Sequence, residues 1–312
     1  MELALAQFPL VLFTTLAPMA SGAFVGLAIT FLTTRFSQER LELIDRWTLL
    51  PLGILVVGVV SALVFFISPQ HGLLAFQGIG GPSLTFAVFM AALFAVVALV
   101  YWVVAMSGRL GYRARTVFAC AVGVLALVYA GAIGAPYVAS AVPSWSSPIT
   151  IIGLVGYCLA GGVPLGVLVV ALAGGMPEAR RTRFAGMQII AAFVGVAASI
   201  FAVASQMLYA QSAYAAFFPG EALPGSWLYL LLSIVGFVAM LACLRAVVMP
   251  SGRSSAAPLG RTAGAAAAVP QRDQAKAKPV GVRSAVALLV AGNAAVIVAI
   301  FVARLVFYAL QV

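Results

Sequence analysis

The sequence predicts an all-α membrane protein, a bundle of eight transmembrane helices, and two observations carry that prediction. The first is composition: 64% of the 312 residues are hydrophobic and 8% are charged, with a mean hydropathy of +1.16, far from the mix of a water-soluble domain of this size. The second is spacing. Charged residues fall in short clusters separated by apolar runs of about 20 residues or more, the length that crosses a hydrocarbon core. The runs are continuous rather than alternating, and a backbone in lipid must satisfy its own hydrogen bonds, so helices are expected rather than barrel strands.

The first span is expected at residues 8–32. It is too long, and lacks the basic leader and small-residue cleavage pattern, to read as a removed signal peptide. A loop with Arg35, Arg40 and Arg46 leads to the second span at 47–67, and the third follows at 84–106. Arg109, Arg113 and Arg115 precede the fourth, at 116–136, and the fifth follows at 149–173. Arg180, Arg181 and Arg183 separate it from the sixth, at 184–210, and the seventh runs over 226–248. The eighth closes the series at 284–309.

Seven more basic residues stand at the end of the seventh span and in the loop after it: Arg245, Arg253, Arg261, Arg272, Lys276, Lys278 and Arg283. Sixteen of the seventeen lysines and arginines thus lie on odd-numbered loops and none on even ones. By the positive-inside bias the odd loops are expected in the cytoplasm and both termini outside, as an even number of spans requires. A net charge of +10 raises the possibility of nucleic-acid binding, but the charges are scattered over membrane-flanking loops instead of gathered on one face. Residues 251–283, rich in Ala, Pro, Gly, Ser and basic side chains, read as a flexible basic cytoplasmic linker between helices one to seven (1–250) and helix eight (284–312). Contact of Arg272, Lys276, Lys278 and Arg283 with anionic lipid headgroups is the functional alternative.

All seven acidic residues, Glu2, Glu39, Glu42, Asp45, Glu178, Glu221 and Asp273, read as terminal or loop residues. On that reading no span holds the carboxylate that ion-coupled transporters usually keep in the membrane. His71 is the sole histidine, too few for a pair of transmembrane haems. Cys120, Cys158 and Cys243 have no metal-like spacing and read as small apolar packing residues.

The polar groups suited to chemistry gather near the predicted outer ends of the spans. They are Ser68, Gln70, His71 and Gln77 after the second span, Tyr137, Ser144 and Trp145 after the fourth, and Arg304 and Tyr308 in the last. Taken plainly, Arg304 snorkels to the outer headgroups and the aromatics form an interfacial belt, the reading that the sequence alone favours. The functional alternative is a pocket for a quinone, with Arg304 and His71 donating to the ring oxygens and the aromatics packing on its face. His71 is then the candidate proton acceptor, the side chain that titrates near neutral pH.

Several segments resemble the membrane anchor subunit (DmsC) family of anaerobic dimethyl sulfoxide reductase and related molybdoenzymes. They are QFPLVLFTTLAPMASGAF (Gln7 to Phe24), Ser68, Pro69, Ala75 and Phe76, then VPSW (Val142 to Trp145), GGVPLG (Gly161 to Gly166) and ARLVFY (Ala303 to Tyr308), in the family's order. The resemblance implies a haem-free subunit of the bacterial cytoplasmic (inner) membrane. It would anchor an iron-sulfur subunit and a molybdopterin catalytic subunit and oxidise menaquinol in anaerobic respiration. Of the candidate quinol-site residues His71, Arg304, Tyr308, Trp145, Tyr137 and Gln77, the resemblance carries Arg304, Tyr308 and Trp145, and Tyr137 when a gap is allowed; His71 lies several residues past the family's histidine position, across an insertion, and Gln77 comes from the polar groups of that connection. Two positions depart: Val64, Phe65 and Phe66 stand where the family has a histidine followed by Leu-Gly, and Ile300 where it often has a glutamate. With no haem to cross the bilayer, the iron-sulfur partner is expected on the outer face, nearest the quinol. The alternatives are a structural anchor without quinol chemistry and a small-molecule transporter whose Gly161 to Pro164 interruption lets helices rock.

Overall fold

In the computed structural model of the chain, residues 7–67, 84–108, 110–140, 145–180, 182–217, 226–249 and 281–309 are described. The long apolar runs fold as α1 (Phe8–Thr33), α3 (Leu49–Ile67), α4 (Leu84–Met106), α5 (Tyr112–Val138), α6 (Ile149–Leu172), α8 (Phe184–Phe217), α9 (Ser226–Val248) and α10 (Val282–Ala309). Two shorter helices, α2 (Gln38–Trp47) and α7 (Met176–Ala179), lie between them, and α2 runs on into α3. Among the described residues, eight helical stretches are long and apolar enough to cross a membrane, matching the predicted spans in number and order. The largest difference is α8, which continues to Phe217 instead of stopping at 210, because Gln206, Gln211 and Ser212 sit within a helix rather than ending it. His71 and Gln77, with Ser68, Gln70, Ser144 and the 251–280 stretch of the linker, lie outside the described residues.

The bundle is built around α1 and α6. In their most apolar windows 83% and 89% of residues are buried, against 28–44% for the other six spans. Polar residues of α1 are compatible with that position because their hydroxyls return to carbonyls one turn back. Thr15 donates to Val11 O at 2.7 Å and Thr30 to Gly26 O at 2.7 Å, leaving no idle donor in an apolar interior.

Glycines let these two backbones touch, as small residues do where membrane helices cross closely. A Cβ added at Gly22 would lie 1.8 Å from the Cys158 carbonyl oxygen, and one at Gly162 would lie 2.3 Å from Gly22 Cα. The GGVPLG segment is therefore the α6 side of the central contact. Gly22→Ala is expected to force the helices apart, at a cost of about 1–3 kcal/mol, and to lower the melting temperature in detergent. Gly53→Ala, with nothing within 4 Å, should leave it unchanged.

Helix α2 corrects the reading of the acidic residues. QERLELIDRW looks loop-like because it is half charged, yet it forms an amphipathic helix that buries Leu41 and Ile44 and exposes Glu39, Glu42 and Arg46. Asp45 falls on the buried face, 2% exposed, and its carboxylate meets Arg115 Nη2 of α5 at 2.8 Å; Arg115 is wholly buried. Trp102 of α4 donates its indole N–H to the Asp45 carbonyl at 2.9 Å. A carboxylate thus sits inside the helical bundle, paired to a residue seventy positions away that no local pattern connects to it.

Candidate functional site

At the end of the bundle opposite this ion pair, Arg304 occupies the interior. It stands about a turn and a half before the end of α10 and is 2% exposed, which overturns the snorkelling reading. A guanidinium at membrane depth is costly unless partnered, and the partners come from neighbouring elements. Nε donates to Thr14 Oγ1 of α1 at 2.9 Å, and Nη2 donates to the Tyr308 hydroxyl at 3.2 Å. Thr14 passes its own proton to the Leu10 carbonyl at 2.8 Å, so its oxygen is free to accept from the arginine.

Aromatic rings enclose the charge. The guanidinium carbon lies 4.0 Å from the Phe307 ring centroid, 4.9 Å from Tyr308 and 5.3 Å from Tyr137, within cation–π range. Phe307 and Tyr308 reach it because i+3 and i+4 share its helix face. Tyr137 comes from the last turn of α5, and its hydroxyl is hydrogen-bonded to that of Tyr308. Both tyrosines are buried, so they belong to the interior and not to an interfacial belt.

Trp145, in the α5–α6 connection, closes the group. Its indole N–H donates to the Phe307 carbonyl at 2.9 Å, and its ring stacks on Phe307 at 5.1 Å with an interplanar angle of 11°. The Trp145 carbonyl in turn accepts from Thr150 of α6 at 3.1 Å, and Gln206 of α8 donates to Thr150 Oγ1 at 3.2 Å. One network therefore links α1, α5, α6, α8 and α10.

Four of the six predicted site residues, Arg304, Tyr308, Tyr137 and Trp145, come together, while His71 and Gln77 fall outside the described residues. Thr14 and Phe307 escaped the sequence reading. Thr14 was one hydroxyl among several in an apolar run, and Phe307 was one apolar residue beside a tyrosine. Their signal is the i+3 spacing of Phe307 from Arg304 and the paired threonines of the Gln7 to Phe24 segment. Among the described residues no three His, Cys, Asp or Glu side chains are grouped to hold a metal ion. Cys158 is buried beside Ser21 at 3.8 Å, where it packs as a small side chain.

The arrangement gathers a guanidinium, two tyrosine hydroxyls and aromatic faces in an apolar setting, groups of the kind that recognise a ring compound bearing oxygen acceptors. A family model described as DMSO reductase anchor subunit (DmsC) matches residues 1–254. The protein is similar to the C subunit of the anaerobic dimethyl sulfoxide reductase of Escherichia coli K12, with 25% identity over 174 residues, covering 54% of this chain and 59% of that one. It is also similar to the C subunit of the Haemophilus influenzae reductase of the same name, with 21% identity over 150 residues, covering 48% and 53% respectively. The protein thus spans between half and three-fifths of the length of these relatives. No solved structure matches it.

Proposed function

Because the chain belongs to the DMSO reductase anchor subunit family, we propose that it fastens an iron-sulfur subunit and a molybdopterin catalytic subunit to the bacterial cytoplasmic membrane and oxidises menaquinol at the Arg304 site. The observation that carries the quinol reading is the burial of the Arg304 guanidinium under Phe307, Tyr137 and Tyr308, hydrogen-bonded to Thr14 of α1 and to Tyr308, which in turn bonds Tyr137 of α5. A lone arginine serving only as a membrane-surface anchor needs neither the burial nor the aromatic cage.

Oxidation of a quinol breaks two O–H bonds and releases two electrons and two protons. Arg304 and the tyrosine hydroxyls would hold the ring oxygens, and the positive charge would stabilise the oxygen as its proton leaves. His71, the one histidine, is the proposed proton acceptor, with Gln77 beside it in sequence on the same connection. The electrons pass to the clusters of the iron-sulfur subunit, and reduction of the terminal acceptor takes place on the molybdopterin subunit.

The positive-inside bias of the basic residues supports an orientation with the Arg304 end outside and both termini extracytoplasmic. A single histidine cannot supply the axial ligands of a transmembrane haem pair, so the partner subunits belong on that outer face. Purification of the tagged protein from native membranes is expected to bring down both subunits together with menaquinone. Protease applied to intact spheroplasts should reach them. Partners without quinone would leave a bare anchor, and partners protected inside spheroplasts would overturn the orientation. Recovery of neither subunit, with solute uptake in vesicles, would restore the transporter alternative.

A further inference from the structure

We infer that the basic end of the bundle binds one anionic phospholipid, with its phosphate on Arg180. A cavity of about 320 Å³ opens where the α6–α7 turn meets the start of α10. Ala171, Met176, Pro177, Val282 and Ala285 give it apolar walls, and Arg180 supplies its charge. The volume is that of a ligand site rather than a packing defect.

Arg180 is held ready for an anion. Its Nε donates to the Val247 carbonyl at the end of α9 at 2.9 Å, which fixes the plane of the guanidinium. Its Nη2 is buried without a hydrogen-bond partner among the described residues, an expensive condition for a charged donor. No described carboxylate lies within ion-pairing distance of it; the ion pair between described residues is Asp45 with Arg115.

The surroundings favour the same sign of ligand. Helix α10 starts without an acidic residue in its first turn, where the dipole calls for negative charge, and Arg283 adds a further positive charge there. The Ser284 hydroxyl in that first turn donates to the Gly281 carbonyl at 2.9 Å.

A phosphodiester with acyl chains matches both halves of this site. Its oxygens accept from Arg180 and the opening N–H groups of α10, and its glycerol and upper chains lie along the apolar walls. Free phosphate would leave the walls uncovered. A zwitterionic lipid would bring an ammonium group to a place already rich in cations. Basic pockets between helix ends of this kind are a recognised form of headgroup site.

Native mass spectrometry of the full-length protein in detergent tests the assignment, after incubation with phosphatidylglycerol or phosphatidylcholine of identical acyl chains. One phosphatidylglycerol should be retained at least tenfold more than phosphatidylcholine. Arg180→Gln should cut that retention at least fivefold. Val282→Trp, which obstructs the mouth and changes no charge, should do the same and decides the matter if Arg180→Gln fails to fold by its melting curve. Equal retention of the two lipids, or unchanged retention in a folded variant, would overturn the site. Displacement by millimolar inorganic phosphate would assign it to the free ion and overturn the lipid.

Discussion

A complex carrying Arg304→Gln is expected to assemble in the membrane at normal levels and to oxidise menaquinol at less than about one-hundredth of the wild-type rate, a loss of about 2.7 kcal/mol in transition-state stabilisation. Glutamine keeps a polar tip but removes the charge and the rigid pair of donors that meets Thr14 and Tyr308. The fold should survive because the neighbours keep partners of their own: Thr14 still donates to Leu10 and Tyr308 still bonds Tyr137. Arg304→Lys, a point charge without the fork, should fall between the two. Tyr308→Phe keeps the ring contacts and loses the hydroxyl shared by Arg304 and Tyr137, so a drop of about tenfold is expected, the scale of one hydrogen bond to a charged group. Turnover with a soluble menaquinol analogue and the quinone content of the purified complex read these effects. Full turnover in Arg304→Gln would identify a structural anchor.

The second large effect is on stability and arises at the other end of the bundle. Asp45→Leu would leave Arg115, wholly buried, with no countercharge, and breaking such a pair costs about 3–5 kcal/mol. Arg115→Met should cost less, since a carboxylate left alone can take up a proton. The double variant Asp45→Leu with Arg115→Met should recover most of the loss, because an apolar replacement of similar volume removes both desolvation penalties. Melting temperatures of the four proteins in one detergent form the cycle. Additive losses would show that the two side chains do not depend on each other.

Hydrophobic segment length and the placement of arginines made the fold legible, since each span had to cross the same thickness of lipid and each basic cluster marked a turn on one side. The α8 extension to Phe217 and the amphipathic α2 were not legible by the same rule, because polar residues end a span in a hydropathy reading whether or not they end a helix. Arg304, Tyr308 and Trp145 were identifiable from the family's order of segments, and Tyr137 from its place near the outer end of the fourth span, but their burial was not. Whether an arginine near a helix end reaches outward or inward depends on the Thr14 hydroxyl 290 positions earlier. Asp45 failed for the same reason, its partner being a long-range one. Composition reports which side chains are expensive in lipid; only the packed bundle reports which are excused from meeting it.

The central place of α1 also bears on how the protein is made. Helix α1, one of the two most buried spans, is synthesised before its mate α6, which does not yet exist when α1 leaves the ribosome: 137 residues separate Ser21 from Cys158 across their contact. At ordinary elongation rates that is a delay of roughly 7 to 27 s. During it Thr14, Thr15, Ser21 and Thr30, all fully shielded in the finished bundle, have no helix α6 to pack against. Their hydroxyls return to carbonyls of α1 itself, so what the helix lacks is the packing of its glycine face, and it is expected to be held at the insertion machinery, or by an escort, until the fifth span arrives. A ribosome stalled before α6 should yield an α1 that crosslinks to the translocation apparatus, and one stalled after it should release the helix.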